Sequence, residues 1–128
     1  MIRVLLIDDE SSIRKAIRRV LEINGYSVDD VSDGNQGIEM YRANPYEIVI
    51  TDIIMAKKGG YEIIRELRRE FPEVNIIAVS GGGELGKNQI LKTADRLGAK
   101  AYLGKPFSAD ELLSTVNQFI DPDKYEIV

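Results

Sequence analysis

The chain has 128 residues, enough for one domain with a single core, and it contains neither cysteine nor histidine. Disulfides, thiol nucleophiles, histidine-based catalytic triads and imidazole metal ligands are therefore excluded, so any metal site must consist of oxygen ligands. The net charge of −4 argues against direct nucleic-acid binding, and without an apolar run near 18 residues or a cleavable leader we expect a cytoplasmic protein with no membrane partner.

The amino-terminal segment predicts a strand followed by a helix. Residues 2–7 form a dense apolar run. From Ile13, apolar residues then recur at i, i+3, i+4, i+7 and i+8, which is the spacing of a helix with one buried face. Ser11 or Ser12 is the expected N-cap of this helix, and Gly25 is the expected stop.

The same pairing of a short apolar run with a helical pattern recurs four more times. Ser108 and Glu111 predict a capping box at the start of the last helix. Five strand and helix pairs in strict alternation predict an α/β fold, with a parallel sheet covered by helices on both faces. The later predicted pairs are 27–31 with 33–43, 48–50 with 60–70, 74–79 with a helix through 91–97, and 101–103 with the final helix.

Polar residues follow four of the predicted strands. Asp8 and Asp9 end the first strand, Asp52 the third, Ser80 the fourth and Lys105 the fifth. Because parallel strands end at one edge of a sheet, we expect these side chains to converge. Three carboxylates and one ammonium leave an excess negative charge that one Mg²⁺ would neutralise. A carboxylate is also a nucleophile toward phosphorus, so the cluster can support phosphoryl transfer.

Each of these residues also has an ordinary structural interpretation when taken singly. The acids after the first strand suit a helix start, and Asp52 suits a turn. Ser80 can cap a turn, and Tyr102 can be plain core. The first predicted helix carries a basic stripe, which is either a solvated face or a docking surface for an acidic partner. The stripe consists of Arg14, Lys15, Arg18 and Arg19. The functional interpretation depends on the joint position of the strand-end residues.

Taken together, these residues resemble one known family, the receiver domains of two-component response regulators, over nearly the whole chain. The sequence departs from the family pattern at two places. Ala56 stands where most members have proline, and three glycines follow Ser80. The glycines form either a plain flexible connector or part of a switch. The matching residues are Asp8-Asp9, Asp52, the run DIIMAKKGG with Met55 and Gly60, Ser80, Tyr102 and Lys105-Pro106-Phe107.

The resemblance implies a fold and a domain layout. The fold is a flavodoxin-like, doubly wound five-stranded parallel sheet of order 2-1-3-4-5 with five helices. Residues 1–121 would form the receiver domain and residues 122–128 a short carboxyl-terminal tail. The short tail predicts either a stand-alone regulator or a domain excised from a longer chain.

The resemblance also implies roles for individual residues. Asp52 would accept the phosphoryl group, with Lys105, joined to Pro106 by a cis bond, binding a phosphoryl oxygen. Mg²⁺ would be held by Asp9, Asp52 and the backbone carbonyl of Ile54, and by Asp8 through a water. Two switch residues, Ser80 and Tyr102, would report phosphorylation.

The implied partners are proteins. A sensor histidine kinase or a histidine phosphotransfer protein would donate the phosphoryl group, and a downstream protein would bind the face of helix 4, strand 5 and helix 5. We expect no enzymatic activity beyond the domain's own phosphorylation and dephosphorylation. The alternatives are a Mg²⁺-dependent aspartyl-phosphate hydrolase of small phosphorylated substrates, and a receiver that signals without phosphorylation.

Overall fold

The computed structural model describes residues 1–55, 57–81 and 92–120. The strands are β1 (Arg3–Ile7), β2 (Ser27–Val31), β3 (Ile48–Asp52), β4 (Ile76–Ser80) and β5 (Ala101–Gly104). The helices are α1 (Ser11–Ile23), α2 (Gly34–Ala43), α3 (Gly60–Glu70), α4, described over 92–97, and α5 (Ala109–Asn117). Ala56, Leu91, two of the three glycines after Ser80, and the predicted tail at 122–128 lie outside the described residues.

The five strands form one parallel sheet in the order β2-β1-β3-β4-β5. The predicted flavodoxin-like order 2-1-3-4-5 is therefore confirmed. Strand β1 pairs with β2 through Val4 and Val28, and with β3 through Val4 and Ile48. This order makes β2 and β5 the edge strands and brings the carboxyl ends of β1, β3 and β4 side by side, where ligands of such folds bind.

Alternate residues of each central strand face opposite layers of the core. In β1, Leu5 and Ile7 pack with α2 and α3, whereas Val4 and Leu6 pack with α1 and α5. Because both faces are covered, β3 and β4 are buried at every position. Among the described residues, no helix is long and apolar enough to span a bilayer.

The helix boundaries agree with the sequence except at the start of α1. The predicted N-cap at Ser11 or Ser12 is wrong, because both lie within the helix and Glu10 is the N-cap. The helix begins early because the Glu10 N–H donates to the Asp8 carboxylate at 2.9 Å, which turns the chain just after β1. Gly25 has a φ of +92° after the helix end, which suits glycine, and the capping box of Ser108 is present.

Candidate functional site

Three carboxylates meet at the carboxyl edge of the sheet. Asp8 and Asp9 follow β1, and Asp52 is the last residue of β3, the adjacent strand. One carboxylate oxygen from each residue lies within 4.8 Å of the others. Asp8 and Asp52 are buried, with Asp52 only 4% exposed, whereas Asp9 is open to solvent. The sequence prediction that these acids converge is confirmed.

Lys105 reaches this cluster from the residue after β5. Its Nζ lies 3.2 Å from Asp52 Oδ2 and 3.3 Å from Asp8 Oδ2. The side chain passes over Gly81, where an added Cβ would be 3.0 Å from Lys105 Cδ, so the small residue leaves room for the lysine. The Lys105–Pro106 bond is cis, as the resemblance implied.

The cluster of three carboxylates and one lysine keeps a net negative charge. Burial raises the pKa of the Asp52 carboxyl; the Lys105 ammonium opposes this rise, and the Asp8 carboxylate adds to it. Burial acts to lower the pKa of Lys105, but the carboxylates of Asp52 and Asp8 outweigh burial and raise it. Lys105 therefore stays charged at neutral pH but does not fully compensate its two partners.

Arg14 supports the carboxyl end of β1 from helix α1. Its guanidinium donates to the Asp8 carbonyl oxygen at 2.8 Å and lies 3.7 Å from the Asp30 carboxylate of β2. Arg18 also pairs with Asp30, at 3.4 Å. The sequence placed both arginines in a stripe facing solvent or a partner, and this was wrong for Arg14, which is mostly buried and paired with residues of β1 and β2. The Arg18 side chain is 38% exposed, and Lys15 and Arg19 are exposed as well.

The loop after Asp52 is fastened at both ends. The Ile53 N–H donates to the Val79 carbonyl at 3.0 Å, and the backbone of Ile54 lies close enough to the Asp52 carboxylate to act against the rise of its pKa. The Gly60 N–H returns to the Ile53 carbonyl at 2.9 Å. A Cβ at Gly60 would lie 2.4 Å from the Asp52 carbonyl oxygen, so only glycine permits this close approach. Met55 packs on the core of the α2 and α3 side, where a flexible methionine can fill an irregular gap.

The two predicted switch residues occupy neighbouring strands in different environments. Ser80 is fully buried as the last residue of β4, and its carbonyl accepts the Lys105 N–H at 2.7 Å. Tyr102 lies on β5 opposite Ala78 and is 52% exposed. Its alternative interpretation as plain core is therefore wrong.

A groove of about 720 Å³ opens over Asp52 and Lys105. Its apolar walls come from α1 and from the segment after β5, through Ile13, Ile17 and Phe107. Ile54, 56% exposed, forms part of its rim beside Asp52. The sequence did not predict this groove, because its walls come from segments that are about 90 residues apart in the chain.

Comparison with known proteins identifies the class to which this fold and site belong. The model of the response regulator receiver domain family matches residues 4–117. The chain belongs to this family, whose members are signalling proteins rather than classical enzymes and generally bind Mg²⁺ at an acidic pocket. The predicted membership is confirmed.

Particular relatives extend this assignment. The transcriptional regulatory protein DltR of Streptococcus agalactiae is 36% identical over 89% of this chain and 50% of its own length. The response regulator MprA of Mycobacterium ulcerans is 30% identical over 98% of this chain and 53% of its own length. The chain thus spans about half the length of these curated relatives.

Solved structures show the same fold. A response regulator receiver domain protein from Clostridium thermocellum is 36% identical, with a TM-score of 0.84 over 97% of this chain and 98% of that one. The chemotaxis protein CheY4 of Vibrio cholerae is 26% identical, with a TM-score of 0.83 over 94% of this chain and 99% of that one. The chain is therefore the receiver domain of a two-component response regulator.

Proposed function

We propose that this receiver domain accepts a phosphoryl group on the Asp52 carboxylate and signals by a change of conformation. The single observation that supports this most strongly is the contact of Lys105 Nζ with Asp52 at 3.2 Å inside a cluster of three carboxylates. A buried carboxylate beside a lysine ammonium and two further carboxylates supports this proposal, because together they can supply a nucleophile, a positive charge and oxygen ligands without any histidine.

The donor set fits a hard divalent cation. All the available ligand atoms are oxygens, and three carboxylates against one ammonium leave a net negative charge. Asp9, Asp52 and the Ile54 carbonyl would hold Mg²⁺, with Asp8 acting through a water. When bound, the ion supplies charge stabilisation for the phosphoryl oxygens and relieves repulsion among the acids.

In the proposed transfer, a carboxylate oxygen of Asp52 forms a bond to phosphorus while the phosphorus–nitrogen bond of a phosphohistidine breaks. The product is an acyl phosphate on Asp52, and the imidazole of the donor leaves with the bonding electron pair. Lys105 binds a phosphoryl oxygen and so compensates charge that Asp52 gains. The donor is a sensor histidine kinase or a histidine phosphotransfer protein, and the groove walled by Ile13 and Phe107 gives its side chain a path to Asp52.

The proposed switch uses Ser80 and Tyr102. Ser80 ends the strand next to Asp52, so its hydroxyl is the nearest strand-end donor for a new phosphoryl oxygen. The half-exposed ring of Tyr102 would represent the unphosphorylated state and would turn inward on phosphorylation. One charge-assisted hydrogen bond supplies about 1.5 to 3 kcal/mol, which shifts such an equilibrium only in part. A downstream protein would bind the face of α4, β5 and α5.

Intact mass spectrometry after incubation with acetyl phosphate and Mg²⁺ tests the transfer. We expect the mass of one added phosphoryl group, and no added mass when Mg²⁺ is chelated. An unchanged mass under both conditions would reject Asp52 as a phosphoryl acceptor. For the switch, amide NMR shifts with beryllofluoride should change around Tyr102 as well as around Asp52, and changes confined to Asp52 would rule it out.

A further inference from the structure

The loop from β3 to α3 makes two ion pairs among the residues that the structure describes, and they differ in environment. Lys57 lies 4.0 Å from the Asp33 carboxylate, and its side chain is 84% exposed. Lys58, the next residue, pairs with Glu66 of α3, and its side chain is only 14% exposed. Solvent and salt screen the first pair strongly and the second much less, so only the Lys58 pair can hold the loop firmly.

The backbone at Lys58 is also held against a second helix. A Cβ at Gly34, the first residue of α2, would lie 3.2 Å from the Lys58 carbonyl oxygen. The Lys58 carbonyl therefore packs against the start of α2, while the Lys58 ammonium pairs with Glu66 of α3. The carboxylate of Glu66 also lies 3.8 Å from Arg42, near the end of α2. Glu66 is therefore held by the loop through Lys58 and by α2 through Arg42.

This anchored loop is the segment that carries Ile54. The Ile54 backbone lies close enough to the Asp52 carboxylate to favour its charged form, so displacement of the loop would change the surroundings of the acceptor. Lys58 follows Ile54 by four residues, and Gly60 closes the loop against the Asp52 carbonyl. The two ends are thus held by backbone contacts, and the Lys58 side chain provides the anchor between them.

We propose that the ion pair of Lys58 with Glu66 is a positioning device for the metal-binding loop, and that it sets the affinity of the acidic cluster for Mg²⁺. This inference rests on the Mg²⁺ site of the proposed function. Lys58 pairs with Glu66 of α3, so it acts through the position of the Ile54 segment.

The test is Mg²⁺ titration by calorimetry on the whole chain. Lys58→Met, which keeps the apolar stem without the charge, should weaken Mg²⁺ binding about three- to tenfold, below the 10- to 100-fold typical of direct second-shell partners. Lys57→Met is the matched control, from the same loop with an exposed charge, and should bind as wild type does.

A charge-swapped double variant separates positioning from simple destabilisation. Lys58→Glu with Glu66→Lys should recover most of the Mg²⁺ affinity that Lys58→Glu alone loses. Equal Mg²⁺ affinity in Lys58→Met, Lys57→Met and wild type would overturn the proposal, even if Lys58→Met melts at a lower temperature.

A metal-free measurement keeps this inference distinct from the proposed function. In a chelating buffer, the amide NMR signals of Ile54 and Met55 should shift in Lys58→Met and stay in place in Lys57→Met. Unshifted signals would reject the anchoring role while leaving the phosphoryl chemistry intact. If the signals shift but wild type binds no Mg²⁺, the metal site fails and the part of this inference that concerns affinity falls with it.

Discussion

Two clusters of acids around a cation can be compared in this domain: one at the sheet edge and one on the surface of α2 and α3. On the surface, Arg42 binds both oxygens of Glu70, at 2.9 and 2.6 Å, and the pKa of Glu70 is lowered by this hydrogen-bonded contact. At the sheet edge, Lys105 lies 3.2 Å from Asp52, yet burial keeps the pKa of Asp52 raised. Both cations favour the ionised carboxylate, but burial at Asp52 outweighs the lysine, so the two pKa values shift in opposite directions.

Burial distinguishes the carboxylate proposed to react, Asp52, from the structural carboxylate of Glu70. Glu70 is satisfied by its arginine, since solvent supports both charges. Asp52 and Asp8 share one lysine away from water, so their charge is incompletely compensated. A carboxylate whose charge is not compensated attracts a cation, and a bound cation in turn attracts the oxygens of a phosphoryl group. Four measurements test this difference between the two clusters.

The largest expected effect is on phosphorylation. Asp52→Asn should abolish the phosphoryl mass gained from acetyl phosphate, because an amide lacks the nucleophilic anion. Glu70→Gln, the matched change in the surface cluster, should be labelled as wild type is. Equal labelling of Asp52→Asn and wild type in intact mass spectra would remove Asp52 from its proposed role.

The next largest effect is on stability, when the cation of each cluster, Lys105 or Arg42, is removed. Lys105→Met leaves two buried carboxylates unpaired and should lower the free energy of unfolding by about 2 to 4 kcal/mol in chelating buffer, below the upper range for fully buried pairs because some solvent reaches Lys105. Arg42→Met should have a smaller effect that disappears in high salt. Urea unfolding curves compare them, and equal midpoints for both variants would contradict the contrast.

A third measurement adds Mg²⁺ itself. Mg²⁺ at 100 times its Kd should stabilise the domain by about 2.7 kcal/mol, and by less at lower excess, because it binds only the folded state. Thermal melts should show this shift in wild type and in Glu70→Gln, and should lose it in Asp9→Ala. The shift should grow in Lys105→Met, where the cluster has one positive charge fewer. A shift retained by Asp9→Ala would place the ion elsewhere.

The smallest expected effect is that ionisation of Asp52 and of Glu70 changes the stability of the fold in opposite directions. The raised pKa of Asp52 means that its ionisation destabilises the fold as pH rises through the folded-state pKa, so Asp52→Asn should melt higher than wild type at pH 7 without metal. The lowered pKa of Glu70 means that its charge stabilises the fold above its unfolded-state pKa, and this is lost as pH falls.

Glu70→Gln should therefore melt lower than wild type at pH 7, and both differences should fade toward the acid range below the ordinary carboxyl pKa. Melting temperatures of the three proteins from pH 3 to pH 8 measure the sign directly. Two shifts of the same sign at pH 7 would show that burial does not separate the two clusters.

The sheet and most of the acidic cluster were predictable from the sequence for a physical reason. Buried parallel strands appear as dense apolar runs, and the residue that ends each run must lie at the common edge. Asp8, Asp52 and Lys105 were therefore found by position alone, before any family resemblance.

The contacts that support the site were not predictable in this way. Arg14 looked like one of four helix-surface cations, and only the early turn at Glu10 brings its guanidinium to the Asp8 carbonyl. The Lys58 and Glu66 pair joins a loop to a helix, with no periodic spacing to mark it. The exposure of Tyr102 follows from β5 being an edge strand, which depends on the strand order rather than on local sequence.

The edge strand β2 has a consequence for self-association. Strands at a sheet edge offer unpaired backbone groups to other chains, and charges within such a strand oppose that addition. Here Asp29 accepts from the Tyr46 hydroxyl at 2.7 Å, and Asp30 is held by Arg14 and Arg18. The two carboxylates are thus fixed in an edge strand, where a sixth strand could be added only by desolvating them. Contacts that fold the domain therefore also protect this edge against aggregation.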